Sequence, residues 1–221
     1  MGKLIVFEGI DGSGKSTQFE RVCARFEREG RDFMRIKFPQ YDNPSSALIK
    51  MYLGGEFGDD PDSVNAYAAS SFFAVDRFAS FKKLWQEYYE RGGVVMTDRY
   101  TTSNAIHQGA KLDPGSREQF FEWLYDYEFR LLGLPAPDLV LYMDIDANAA
   151  ARRLSRRQAE TWTDGDIHEN AGFLQKSAES AEHAARHYGW RKVACFSDGR
   201  ERTEDEIERE IYDLLTGLWG V

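Results

Sequence analysis

The sequence predicts an α/β protein built on a parallel sheet, on three observations. Apolar strand candidates recur along the chain, helical patterns separate them, and a glycine-rich loop joins the first strand to the first helix. Strand candidates fall at 3–8, 33–38, 93–97, 138–144 and 192–197, and helical patterns at about 15–28, 62–90, 116–131, 146–158, 169–187 and 203–217. Such alternation covers a parallel sheet on both faces. The first strand is the unbroken apolar run Leu4-Ile5-Val6-Phe7, and Gly30 closes the helix that follows its loop. Gly92-Gly93 precede the third strand, and Pro135 and Pro137 the fourth. Thr203-Glu204-Asp205-Glu206 opens the last helix as a capping box. With no Pro/Ser-rich linker, internal repeat or low-complexity tract, one domain over 1–221 is expected.

The loop itself is Gly9-Ile10-Asp11-Gly12-Ser13-Gly14-Lys15-Ser16, followed by Thr17. Glycines let the backbone curl so that successive N–H groups, backed by the positive end of the helix, converge on one anion. Lys15 neutralises β/γ-phosphate oxygens and Ser16 is a ligand for Mg²⁺. A strand before and a helix after make a chance match a poor explanation, so a nucleoside triphosphate is the expected ligand.

Composition narrows the partners. Lys plus Arg number 28 against 37 Asp plus Glu, a net charge of −9, which disfavours a nucleic-acid polymer or an anionic membrane. No run approaches a membrane span and no cleavable apolar segment stands at the start, so the cytoplasm is the expected compartment. Cys23 and Cys195 lack metal-ligand spacing and read as free buried thiols.

In open parallel sheets ligands sit beyond the carboxyl ends of the strands. Phe38-Pro39-Gln40-Tyr41 follows the second strand, and Asp98-Arg99-Tyr100 with Thr101, Thr102, Ser103 and Asn104 follows the third. Asp98 is placed to hold Mg²⁺ directly or through water, and Arg99 to grip a phosphate by a bidentate fork. A weak surface ion pair is the alternative for this dipeptide. Within Phe72-Phe73-Ala74-Val75-Asp76-Arg77-Phe78, Phe73 and Arg77 are four residues apart on one helical face, suited to stack on a flat ring and hydrogen-bond its edge; ordinary core packing explains the pattern equally. Arg152, Arg153, Arg156 and Arg157 run into a polar stretch from Gln158 to Asp166, which reads either as a lid, at about 153–167, or as a solvated helix end.

Together these motifs resemble the thymidylate kinase family over almost the whole chain. The resemblance rests on Phe7-Glu8 with the loop through Thr17, Phe38-Pro39, Phe73 with Asp76-Arg77, Asp98-Arg99-Tyr100 with Ser103-Asn104, and Leu132-Gly133-Leu134-Pro135-Ala136-Pro137-Asp138-Leu139. It implies the three-layer α/β/α fold of P-loop kinases, with a five-stranded parallel sheet, usually in a homodimer. The implied activity is transfer of the γ-phosphoryl of ATP to dTMP with Mg²⁺. It also implies residue roles. Asp11 reaches the sugar 3′-hydroxyl and helps place Mg²⁺; Arg99 and Tyr41 hold the acceptor phosphate. Phe73 stacks on thymine, while Arg77 and Asn104 bind its polar edge. Phe38-Pro39 forms the pocket floor, in a turn that can carry a cis peptide. Arg153 and Arg157 cover the donor phosphates, with Asp166 and Glu169 as acidic groups beyond the lid.

Gly12 stands where some members have an arginine, which moves the catalytic cation to Arg153 and Arg157. His107 stands where members commonly have an aromatic residue that blocks a ribose 2′-hydroxyl. His168, His183 and His187 read as helix-surface residues. The dimer surface implied is the helix at 62–90. Two other functions deserve comparison. A deoxynucleoside kinase would recruit Asp11, Glu8 or Asp98 as a base. A nucleotide-dependent switch that binds GTP or ATP would need a guanine-reading Asn-Lys-x-Asp element or a switch region, and the chain has no Asn-Lys-x-Asp.

Overall fold

The computed structural model describes residues 1–161, 171–197 and 199–219, with side chains except at 157–161, 171, 218 and 219. Asp166, His168 and Glu169 therefore lie outside the described residues, and so does the side chain of Arg157.

Five parallel strands form the main sheet: β1 (Lys3–Glu8), β2 (Met34–Lys37), β3 (Val94–Asp98), β4 (Leu139–Asp144) and β5 (Arg191–Ala194), in the order β2-β3-β1-β4-β5. Leu4, Ile5, Val6 and Phe7 in β1 are all fully buried, which requires cover on both faces of the sheet. That cover comes from α1 (Lys15–Arg28), α2 (Ala47–Leu53), α3 (Ala66–Ser80), α4 (Gln86–Glu90), α5 (Thr101–His107), α6 (Arg117–Tyr125), α7 (Ala147–Thr161), α8 (Ala171–Tyr188) and α9 (Glu204–Trp219). Helix α1 packs on β1, β3 and α9, while α5 packs on α8. A two-stranded hairpin, β6 (Phe196–Ser197) with β7 (Arg200–Glu201), precedes α9.

The five-stranded sheet and the bounds of α1 match the sequence expectation. Three local features differ. The pattern at 62–90 is not one helix: Asn65 caps α3 by accepting from the Ala68 N–H at 2.9 Å, and a π turn at Phe81–Trp85 separates α3 from α4. The pattern at 116–131 likewise ends in a π turn, Asp126–Leu131. The last strand stops at Ala194, because Phe196 and Ser197 pair with β7 instead.

Register places the chemistry. Asp98 is opposite Phe7 of β1 on one side and Lys37 of β2 on the other, so the ends of three strands meet at one carboxyl edge. The loops leaving this edge are the phosphate-binding loop, the Phe38-Pro39 turn and the Arg99 turn.

Candidate active site

The glycine-rich loop turns from β1 into α1 with Gly12 and Gly14 at positive φ, 79° and 86°. Gly14 caps α1 without a side-chain bond, so the first helical N–H groups are free of any side-chain acceptor there. A Cβ on Gly12 would lie 2.4 Å from the carbonyl oxygen of Ala150 in α7. No side chain fits without movement of that helix, so an arginine at this position would have no room.

Lys15 is 5% exposed. Burial pushes its ammonium below the ordinary lysine range, and the Arg99 charge adds to this, opposed by Asp11, Asp98 and Glu8. Its Nζ is 3.5 Å from Asp11 Oδ1, and Asp11 also pairs with the Arg99 guanidinium. For Arg99, burial works against the charge, but the carboxylates of Asp11, Glu8 and Asp98 outweigh it and hold the group up. Arg99 adopts φ 69°, unusual for a residue with a side chain, and the Thr97 hydroxyl donates to its carbonyl at 2.7 Å. That conformation turns the guanidinium back toward the loop. Its Nη1 also stands 3.3 Å from Ser103 Oγ and 2.9 Å from His107 Nε2. A guanidinium has no acceptor, so His107 Nε2 accepts and the neutral ring carries its proton on Nδ1.

Ser16 Oγ donates to Asp98 Oδ2 at 2.7 Å, and Lys37 Nζ is 3.6 Å from the same carboxylate. The other oxygen, Asp98 Oδ1, is buried with no hydrogen-bond partner among the described residues. An orphaned carboxylate oxygen beside a serine hydroxyl is a hard-oxygen donor set that fits Mg²⁺, which takes few protein ligands and keeps water and phosphate oxygens.

Beside this lies a cavity lined by the charged and polar side chains of Asp11, Arg99, Tyr41, Arg77, Asn104 and His107 and the apolar ones of Phe38, Pro39 and Phe73. Every residue expected to hold the acceptor thus lines one cavity, and Phe38-Pro39 is a cis peptide. Arg77 is bound by Glu128 in a two-pronged ion pair, Nε to Oε2 at 2.6 Å and Nη2 to Oε1 at 2.5 Å. Asp76 ties the β2 turn to α3, accepting from the Gln40 N–H at 2.8 Å and the Ser45 hydroxyl at 2.6 Å. Glu8 is fully buried and accepts from the Gly9 N–H and the hydroxyls of Thr102 and Ser103 at 2.9, 2.7 and 2.8 Å.

A second cleft is lined by Ser13, Gly14, Thr17, Arg153, Thr203 and Glu204 among others. Arg153 donates from Nη1 to the Ser13 carbonyl at 2.9 Å and pairs with Glu201 through Nε at 2.8 Å.

Sequence reasoning missed two residues here. Gln108 lines the first cavity, almost fully buried, with Oε1 unpartnered among the described residues. Nothing in its sequence context marks it. Glu128 had a signal: it continues the spacing of the buried Phe120 and Leu124, a carboxylate on an otherwise apolar stripe.

The chain is similar to known proteins in sequence and in fold. A family model described as thymidylate kinase matches residues 7–207. The chain is 34% identical over 199 residues to a thymidylate kinase of Mycobacterium tuberculosis, covering 88% of this chain and 92% of that one. It is 28% identical over 219 residues to a thymidylate kinase of Halothermothrix orenii, covering 98% and 97%. A thymidylate kinase structure from Candida albicans superposes with a TM-score of 0.73 at 23% identity, covering 98% and 92%, a likeness of fold.

Proposed function

Because the chain belongs to the thymidylate kinase family and phosphorylates dTMP to dTDP with ATP, we propose that the two clefts described above are its donor and acceptor sites within one domain. One observation carries this reading: Asp11 lies between the two phosphate seats, 3.5 Å from Lys15 of the donor loop and paired with Arg99 of the acceptor cavity.

The acceptor is already an anionic phosphate, so transfer needs no general base, and catalysis rests on positioning and charge neutralisation. Gly9, Gly12, Ser13, Gly14, Ser16 and Thr17 wrap the donor phosphates, with Lys15 on the β/γ oxygens. Ser16 and Asp98, with Asp11 nearby, would hold Mg²⁺, which when bound neutralises the donor phosphates. Arg99 and Tyr41 grip the acceptor phosphate and Asp11 takes the sugar 3′-hydroxyl. Phe73 stacks on thymine above the Phe38-Pro39 floor. Arg77 and Asn104 read the base edge, and the unpartnered Gln108 Oε1 is a further acceptor beside them. His107 fills the space beside the sugar and holds Arg99. Arg153, already against the loop, supplies donor-side charge, and Arg157 is assigned the same task from the family pattern.

The deoxynucleoside kinase reading has less support at two of the carboxylates it would use as base: Glu8 is enclosed by three donors and Asp11 is paired with two cations. We further propose a cytoplasmic homodimer, supported by the exposed apolar side chains of Val75, Phe78 and Leu84 on α3 and its π turn. Among the described residues no helix is long and apolar enough to cross a membrane.

The test is ADP release with ATP and Mg²⁺ against dTMP, dUMP, UMP, dCMP and thymidine. Turnover chiefly with dTMP supports the assignment. Turnover with thymidine alone would move the chain to the nucleoside kinases.

A further inference from the structure

Glu128, in the π turn after α6, is fully buried and touches no phosphate seat. Besides the two bonds from Arg77, it accepts from the Thr101 hydroxyl at 2.8 Å and from Asn104 Nδ2 at 3.3 Å. Two of its three partners, Arg77 and Asn104, line the acceptor cavity.

The consequences for those two side chains are specific. The fork with Glu128 takes the Nε–H and one Nη2–H of Arg77, leaving the second Nη2–H and Nη1, whose contact with the Tyr100 carbonyl is long at 3.4 Å. Asn104 Nδ2 sits between two acceptors, the Glu128 carboxylate and the Ser70 carbonyl, each at 3.3 Å. Only one orientation of that amide is compatible with both, and it makes Oδ1 the opposite, accepting edge.

We propose that Glu128 is a positioning residue that sets the polarity with which the cavity reads a pyrimidine, a donor from Arg77 beside an acceptor from Asn104. The inference rests on the thymidylate kinase reading of the cavity. A 4-keto pyrimidine presents a carbonyl acceptor beside an N3–H donor and complements that pattern. A 4-amino pyrimidine presents a donor beside an acceptor and meets like against like. Sites built around buried hydrogen bonds reject such mismatches strongly, because polar groups are left unpaired. Without the carboxylate, the Asn104 amide keeps only the Ser70 carbonyl as an orienting acceptor and Arg77 loses the fork that aims it.

The test is steady-state kinetics of Glu128→Gln with dTMP, dUMP and dCMP as acceptors. A glutamine can accept at one oxygen only and sets its NH₂ against donors already present. We expect the KM for dTMP to rise at least tenfold, with kcat at saturation within about threefold and the KM for ATP unchanged. The ratio of kcat/KM for dTMP over dCMP should fall at least tenfold, while that for dTMP over dUMP, which share the 4-keto edge, stays constant. An unchanged dTMP/dCMP ratio overturns the proposal, since a merely structural role would lower both acceptors alike. Glu128→Asp keeps the charge but withdraws it by one methylene, and should shift the same ratio in the same direction. If neither variant folds, the carboxylate holds the fold rather than aiming the readers, and the proposal falls. A wild-type protein that does not prefer dTMP would instead sink the enzyme reading itself.

Discussion

The carboxylate of Asp11 and the guanidinium of Arg99 are paired across the gap between the phosphate-binding loop and the turn after β3. Both side chains are partly buried, and in the proposed assignment the pair stands at the seat of the acceptor phosphate. A phosphate that replaces this contact exchanges one carboxylate oxygen for an anion able to take the guanidinium fork at two oxygens.

Removing the guanidinium therefore does two things: it deletes the phosphate grip and leaves the Asp11 charge facing the substrate. For Arg99→Asn, whose side chain tolerates the φ of 69°, we expect the KM for dTMP to rise about 100-fold, corresponding to about 3 kcal/mol. Adding Asp11→Asn should recover part of the dTMP affinity, as a double-mutant cycle by titration would measure.

Lys15 is a buried cation whose desolvation works against the folded state. Lys15→Met should lower kcat by about 1000-fold while leaving the melting temperature unchanged or raised. Thermal unfolding and turnover on the same sample check this, and near-wild-type activity would remove Lys15 from its role.

Asp98 Oδ1 has no partner among the described residues, and Ser16 engages the other oxygen. Asp98→Asn should raise the Mg²⁺ concentration for half-maximal activity about tenfold or more. Activity followed across a Mg²⁺ titration is the measurement, with equal Mg²⁺ dependence in variant and wild type as the contrary result.

Lys111 Nζ donates to the Tyr52 hydroxyl and to the Val64 carbonyl, both at 2.8 Å, clasping α2 to the segment before α3. Burial pushes its pKa down to about 8, against the opposing pull of Asp62 and Asp60. The unfolded chain binds this proton up to a higher pH, near the ordinary lysine value of about 10.4. Between these pH values the unfolded state holds more protons, so raising pH favours the folded state, and the gain is absent below about 8 and complete above about 10.4. Relative to Lys111→Met, wild type should gain on the order of 1 kcal/mol across that window after allowance for solvent screening. Urea unfolding at pH 7.5, 9 and 10.5 tests the sign.

The parts legible in the sequence were those governed by local rules. Gly12 and Gly14 in a strand-to-helix turn, Lys15 after them and Asp98 at a strand end carry their chemistry in their spacing. Helix α5 was not legible as a helix, because Thr101, Thr102 and Asn104 are buried polar residues and give no apolar period. Their hydroxyls and amide are buried because Glu8 and Glu128 receive them, contacts made across 94, 27 and 24 residues. The break in the 62–90 pattern arose from a π turn, which shifts the helical phase without leaving a composition signal. The polarity of the base-reading edge depends on Glu128, a long-range partner that spacing alone does not assign.

Arg153 donates to the carbonyls of Gly12 and Ser13, and the loop passes so close to α7 that a Cβ on Gly12 would lie 2.4 Å from the Ala150 carbonyl oxygen. The missing side chain at Gly12 is thus what leaves room for the glycine-rich loop to lie against the helix that carries the arginines.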